Sequence, residues 1–375
     1  MKIKSIDKEN MESFLMGLAI LGTGGGGESE WGRKIIQNDI ARGRGYLIVD
    51  PKDVEDEAFI CSGGIMGSVK ELDGISYDDV IDQWENDFPL VKALKKMEEL
   101  KGRKLDYVIA FEPGGLNTPV IMSAAARMGI PIIDGDAVGR SAPETQMTSF
   151  IGHGISLNPM TLVDDKGNSI VVLESKESTY ADEIGRFIVT KSGNMGANSH
   201  YGMSGKQLKK SCIPNTLSLA TNIGDNIRNS ANTGLNITEA FTEFIGGKMM
   251  FNGIINEVNG ESRGGFYLIN VMIEGKNEFV GKSAKIVIKN EVMALWINGE
   301  IKSIFPDNIF MLRPDEGTGI MSTDLTEGMK IVLVGTPCNE RIRETLATEE
   351  GKEAFGGQRY GYQELNFIPF EELNK

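Results

Sequence analysis

Histidine and cysteine are nearly absent from this chain. Only His153 and His200 occur in 375 residues, with no H-x-x-x-H or H-x-H pair, so a histidine-built hydrolytic metal site is excluded on count alone. Each histidine could serve singly as a proton shuttle, but a lone histidine among glycines reads first as ordinary surface. The three cysteines, Cys61, Cys212 and Cys338, are far apart and form no C-x-x-C, which excludes a disulfide scaffold and a cysteine zinc site and fits a reducing, cytoplasmic setting. Cys61 reads as a buried inert thiol, since no histidine is near it in sequence. A Lys/Arg stripe interleaved with aromatics is also missing. With 53 acidic against 39 basic residues the net charge is -14, and a nucleic-acid partner is not expected. No apolar run is long enough for a bilayer: residues 14–21, with Gly17 inside, are too short for a span or a signal core, so no membrane and no targeting segment are expected.

Glycine, by contrast, is abundant, and it concentrates in "LGTGGGGESEWGRK" (21–34). From Gly22 this nearly spells the phosphate loop G-x-x-x-x-G-K-[ST], but Glu28 stands where the lysine belongs. Met11, Phe14, Leu15, Leu18 and Ala19 follow helical spacing, so a helix rather than a strand precedes the loop. A nucleotide loop is therefore not expected. Two readings remain: Thr23, Gly24, Gly25, Gly26 and Gly27 approach a ligand closely with their amides, or they let two helices pack tightly.

Two domains are the natural prior at this length. Residues 45–50, 57–64, 105–115 and 130–136 read as strands, alternating with helices at 87–102 and 117–129, which implies parallel pairing and an α/β layer. Residues 161–174 read as a hairpin, and two helical patterns follow, separated by a loop at 192–205. From Phe241 onward period-2 patterning with glycine turns predicts antiparallel strands. The expected division is an N-terminal α/β domain with a mainly parallel sheet, 1–165, and a C-terminal domain, 166–375, with a helical, glycine-rich connection over 166–235 and a β-rich part over 236–375.

In a parallel sheet, ligands bind beyond the carboxyl ends of the strands. Glu112 follows an apolar run directly, where desolvation would raise its pKa toward general acid–base use; capping the next helix or pairing with Arg140 is the alternative. Gly114, Gly115 and Asn117 follow it and suit substrate binding. Asp134 and Asp136 flank one glycine and could share a proton, hold a divalent metal ion, or make turn bonds. Arg140 and Glu144, four apart, could clamp a ligand or form a structural ion pair.

Taken in order, "LGTGGGG" (21–27), "EPGGLN" (112–117), "PIIDGDAVGRSAPETQM" (131–147), "NTLSLATNIG" (215–224), "KNEVMA" (289–294), "FPDNI" (305–309) and "AFGGQRYGY" (354–362) resemble the S-methyl-thiohydantoin desulfurase-like family over nearly the whole chain. The resemblance implies an α/β domain followed by a β-rich domain of swivelling type, a homo-oligomer, and a hydantoinase- or oxoprolinase-type protein partner. It implies hydrolysis of a small hydantoin-, thiohydantoin- or amide-type ring, with the alternative of a non-catalytic nucleotide- or anion-binding partner protein. Carried onto this chain, the implied site comprises the 22–27 glycines, Glu112, Gly114, Gly115, Asn117, Asp134, Asp136, Arg140 and Glu144. One departure is "GGIMGSVKEL" (63–72), which lacks the proline expected there.

Overall fold

The computed structural model describes residues 2–67 and 76–375; the 68–72 part of the proline-less segment lies outside the described residues. The chain begins with two helices, α1 (Met11–Leu21) and α2 (Ser29–Ala41), joined by the glycine loop, as their periodicity predicts. The first strands are β1 (Ile48–Val49) and β2 (Phe59–Gly67). Helices α3 (Tyr77–Asn86) and α4 (Pro89–Lys101) follow; Pro89 opens α4 and Gly102 closes it in the left-handed region, φ 63°. Then come β3 (Tyr107–Ala110), α5 (Asn117–Met128), β4 (Ile132–Ile133) and the two-residue β5 (Gly135–Asp136).

The hairpin of β6 (Met160–Asp164) and β7 (Ser169–Val172) forms as expected and is followed by α6 (Tyr180–Ser192). Residues 192–205, read as a loop, instead contain a ten-residue strand, β8 (Met195–Ser204), in the middle of the first sheet. Its order is β1-β4-β3-β2-β8-β6-β7. Pairings from β1 through β2 are parallel, and β8 runs antiparallel to both β2 and β6, so five of the seven strands share one direction. Strand β8 escapes a period-2 reading because both its faces are buried and glycines stand where its neighbours press close: a Cβ on Gly63 of β2 would lie 2.6 Å from the Asn198 carbonyl oxygen.

After β8 come α7 (Gly205–Ser211), β9 (Ile213–Pro214), which pairs with β5, and α8 (Thr216–Thr233). Helix α8 crosses α1 so closely that a Cβ on Gly17 would lie 1.8 Å from the Ala220 oxygen. Helix α9 (Ile237–Phe244) leads into a second sheet of seven antiparallel strands: β10 (Lys248–Arg263), β11 (Phe266–Gly275), β12 (Ser283–Lys289), β13 (Glu291–Ile297), β14 (Glu300–Ile304), β15 (Asn308–Leu312) and β16 (Lys330–Thr336). This is the β-rich C-terminal half that the patterning predicts. The β12 to β13 turn places Asn290 and Glu291 back against the first domain, and that contact makes the site.

Candidate functional site at the domain boundary

The carboxyl ends of β2 and β3, the start of α5, the middle of β8 and the β12 to β13 turn enclose a cavity of about 70 Å³. Of the sequence-predicted residues, Gly26, Gly27, Glu112, Asn117 and Glu144 line it. The others that line it include Met66, Asn198, His200, Arg186, Asn290 and Glu291.

Glu112, 2% exposed, stands just beyond β3 where the sequence places it. Its Oε1 accepts from Asn117 Nδ2 at 2.8 Å and its Oε2 from the Ala142 amide at 2.5 Å. Asn117 is held in turn by the Ile65 amide, which donates to its Oδ1 at 3.1 Å. Burial pushes the Glu112 carboxyl well above its usual range, and the charge of Glu291 adds to the rise. Glu291, also 2% exposed, comes from the other domain and is pushed up to about 7 by burial, against the pull of Arg140, Arg186 and the Gly26 amide. Its Oε2 has no hydrogen-bond partner among the described residues. Two buried carboxyls facing one cavity cannot both ionise without large expense, so together they hold a proton near neutrality.

The glycine loop divides between the cavity and close packing. Gly26 and Gly27 reach the cavity, whereas Thr23, Gly24 and Gly25 do not line it. Gly24 bonds the second domain on either side: its amide donates to the Ile320 oxygen at 3.0 Å and its carbonyl accepts from Ser322 at 2.9 Å. The second glycine turn packs backbone to backbone against the first, since a Cβ on Gly114 would lie 2.3 Å, and one on Gly115 2.6 Å, from the Gly26 and Gly27 oxygens. The Gly114 amide is already spent on Thr118 Oγ1 at 3.0 Å, so it is not free to meet a ligand. A Cβ on Gly25 would lie 1.5 Å from Glu291 Oε1. Gly25→Ala must therefore displace that carboxyl from its place in the cavity.

Asp134, Asp136 and Arg140 lie outside the cavity lining. Asp134 accepts from the Ser218 amide at 3.0 Å and Ser218 Oγ at 2.6 Å, tying β4 to the start of α8. Asp136 Oδ1 accepts from the amides of Val138 (2.7 Å) and Gly139 (2.6 Å), which is the turn-bond alternative; burial pushes its carboxyl up to about 6. Among the described residues no group of three or more His, Cys, Asp or Glu side chains is arranged to hold a metal ion. Arg140 is buried and donates to three backbone carbonyls, Ser141 (3.1 Å), Asp307 (2.7 Å) and Val292 (2.9 Å), with Phe305 beneath it at 4.8 Å. It bolts the second sheet to the first domain beside Glu291. Glu144 lines the cavity but is neutralised: Lys289 Nζ donates to it at 2.5 Å, Arg359 donates through Nε at 3.2 Å and again through Nη2, and Gln146 Nε2 adds a bond at 2.9 Å. Burial alone would raise its pKa, but the Arg359 bonds and the Lys289 charge outweigh that and hold it below the usual range.

Sequence reasoning missed Glu291 and His200. Glu291 falls inside "KNEVMA" (289–294), within the alternating C-terminal pattern where no site residue is expected. His200 was assigned to a loop but is 1% exposed on a central strand, and burial lowers its pKa to about 3. Cys61 is buried and its thiol is pushed up to about 12 by burial, as an inert core cysteine would be. No helix among the described residues is long and apolar enough to cross a membrane.

Residues 9–174 match the family described as S-Me-THD-like, N-terminal domain, and residues 175–370 match S-Me-THD-like, C-terminal domain. Among solved structures, the X-ray crystal structure of a protein from Chromobacterium violaceum is similar, with 22% identity, a TM-score of 0.76 and coverage of 98% of this chain and 100% of that one. At that identity the likeness carries the fold alone. A comparison with curated proteins gives no match.

Proposed function

Because the chain belongs to the S-Me-THD-like family, we propose that the boundary cavity hydrolyses a small thiohydantoin- or hydantoin-type ring by carboxyl-assisted attack of water. The observation that carries this reading is the meeting of Glu112 and Glu291, one from each domain, in one small buried space. The two N–H bonds to Glu112 oppose the rise that burial causes, and with one proton held by the pair on Glu291, Glu112 is the member that accepts a proton from water. Glu291, with a bare Oε2 and a pKa near 7, suits the protonated partner.

On an S-methylated thiohydantoin the steps balance. Water oxygen adds to the ring carbon bearing sulfur, its proton passes to Glu112, and Glu291 gives its proton to the ring nitrogen. On collapse the new hydroxyl loses its proton to Glu291 and becomes the carbonyl. As the carbonyl forms the C–S bond breaks, the sulfur leaves as methanethiol with the proton from Glu112, and both carboxyls return to their starting states. Glu112 and Glu291 in the lining disfavour the alternative of a nucleotide or phosphate ligand. Incubation with S-methylated thiohydantoins tests the reading: thiol release with a stoichiometric hydantoin product supports it, and no turnover of any such ring contradicts it.

The carboxyl pair also sets a stability profile. Both folded-state pKa values lie above the unfolded carboxyl value of about 4.3, so the protonated pair favours the native state most fully below that pH. This contribution is lost as pH rises through about 7. The melting midpoint should therefore carry a component that falls between about pH 5 and pH 8, and Glu291→Gln should flatten it. An unchanged profile in that variant would show that Glu291 ionises freely.

A further inference from the structure

We propose that Asn198 and His200 form a recognition pair for the amide edge, an adjacent C=O and N–H, of an uncharged ring in the boundary cavity. The inference rests on the hydrolase reading of that cavity and specifies its substrate class. The two residues are i and i+2 on β8, so their side chains share a face, and both line the cavity. They pair with Gly64 and Ser62 of β2, and a Cβ on Gly64 would lie 3.3 Å from Asn117 Oδ1 at the cavity wall. Immediately after His200, Tyr201 takes φ 53° and the β2 to β8 register shifts, a bulge that ends the shared face at the cavity; its hydroxyl is anchored to the Thr145 oxygen at 2.9 Å.

The two side chains have hydrogen-bonding capacity that the protein leaves unused. His200 Nδ1 is buried and has no partner among the described residues. The imidazole is held by ring packing instead, edge-on to Phe111 at 5.7 Å and to Tyr201 at 5.0 Å. Asn198, 4% exposed, makes no side-chain hydrogen bond among the described residues, whereas both ends of the neighbouring Asn117 amide are spent on Ile65 and Glu112. Buried polar groups in native structures are nearly always satisfied, so a pair aimed into a cavity points to a ligand that completes them. A neutral imidazole offers one donor and one acceptor, and so does a carboxamide, which matches an edge that itself carries one of each. The imidazole stays uncharged because burial opposes its protonation. An anion gains nothing from it and meets Glu112 and Glu291 besides.

Calorimetric titration of the full-length protein with hydantoin, 1-methylhydantoin and 3-methylhydantoin tests the pairing. Wild type should bind hydantoin at least about 10-fold more tightly than the isomer whose methyl blocks the recognised N–H, because a site built around a donor rejects the analogue that lacks it. Asn198→Leu and His200→Phe should each abolish that preference with their melting midpoints checked in parallel. If His200→Phe does not fold, Asn198→Leu carries the test alone. Equal binding of the three rings, no hydantoin binding at all, or a preference that survives Asn198→Leu overturns the proposal. Preference without turnover would contradict the hydrolase reading and leave this one standing; turnover without preference would do the reverse.

Discussion

Glu112→Gln should abolish measurable turnover while the protein stays folded. Removing a general base typically lowers rates by about 10²–10⁴-fold, and on the proposed route the same group also returns its proton to the leaving sulfur. Glutamine keeps the shape of the side chain and one acceptor oxygen, so either Asn117 or the Ala142 amide keeps its bond. The lost hydrogen bond should cost about 1 kcal/mol, offset in part because the variant no longer places a second carboxyl in the cavity with Glu291. The melting midpoint is therefore expected within a few degrees of wild type. A fully active Glu112→Gln enzyme would remove Glu112 from the chemistry.

Glu144→Gln should show the opposite pattern, with stability hit first. Among the described residues Glu144 is the only anion bonded to Lys289, whose side chain is 7% exposed, and it also holds Arg359. Neutralising it leaves a buried ammonium facing a guanidinium, and breaking a buried pair from one side costs about 3–5 kcal/mol. Urea unfolding should report that loss, and adding Lys289→Met to the variant should recover part of it, since the orphaned charge is then gone. If Glu144→Gln leaves the unfolding midpoint in place and lowers only turnover, Glu144 belongs to the chemistry rather than to the bolt between the domains.

The contrast between these two glutamates shows what the sequence could and could not say. Glu112 was legible because one polar residue directly after an apolar run must sit at a strand end with little water. Glu144 was legible as a candidate but not in its role, because its cations, Lys289 and Arg359, lie far along the chain and only the closed interface brings them together. Asp134 and Asp136 resembled a catalytic pair by spacing, yet the same spacing serves a helix start and a turn, and only their bonds to Ser218, Val138 and Gly139 decide between the uses. Strand β8 was read as a loop because its glycines, serines and asparagine carry turn chemistry; their small size is needed instead because the strand is buried on both faces in the sheet centre. Glu291 had a weak signal available: a carboxylate flanked by Val292, Met293 and Ala294 has few places to go except a buried site.

The glycine loop illustrates the same limit. Its missing lysine argues against a nucleotide loop, but no residue within it announces that its neighbour is a carboxyl from a strand more than 200 positions away.

The reaction is proposed to occur where Glu112 and Glu291 meet. The most direct test is a crystal structure of the Glu112→Gln variant soaked with an S-methylated thiohydantoin. Ring density is expected in the boundary cavity, with the sulfur-bearing carbon within about 3.5 Å of the position of a water held by residue 112 and the amide edge on Asn198 and His200. A ring bound only elsewhere, such as the open cleft beside Trp296 and Tyr362, would contradict it.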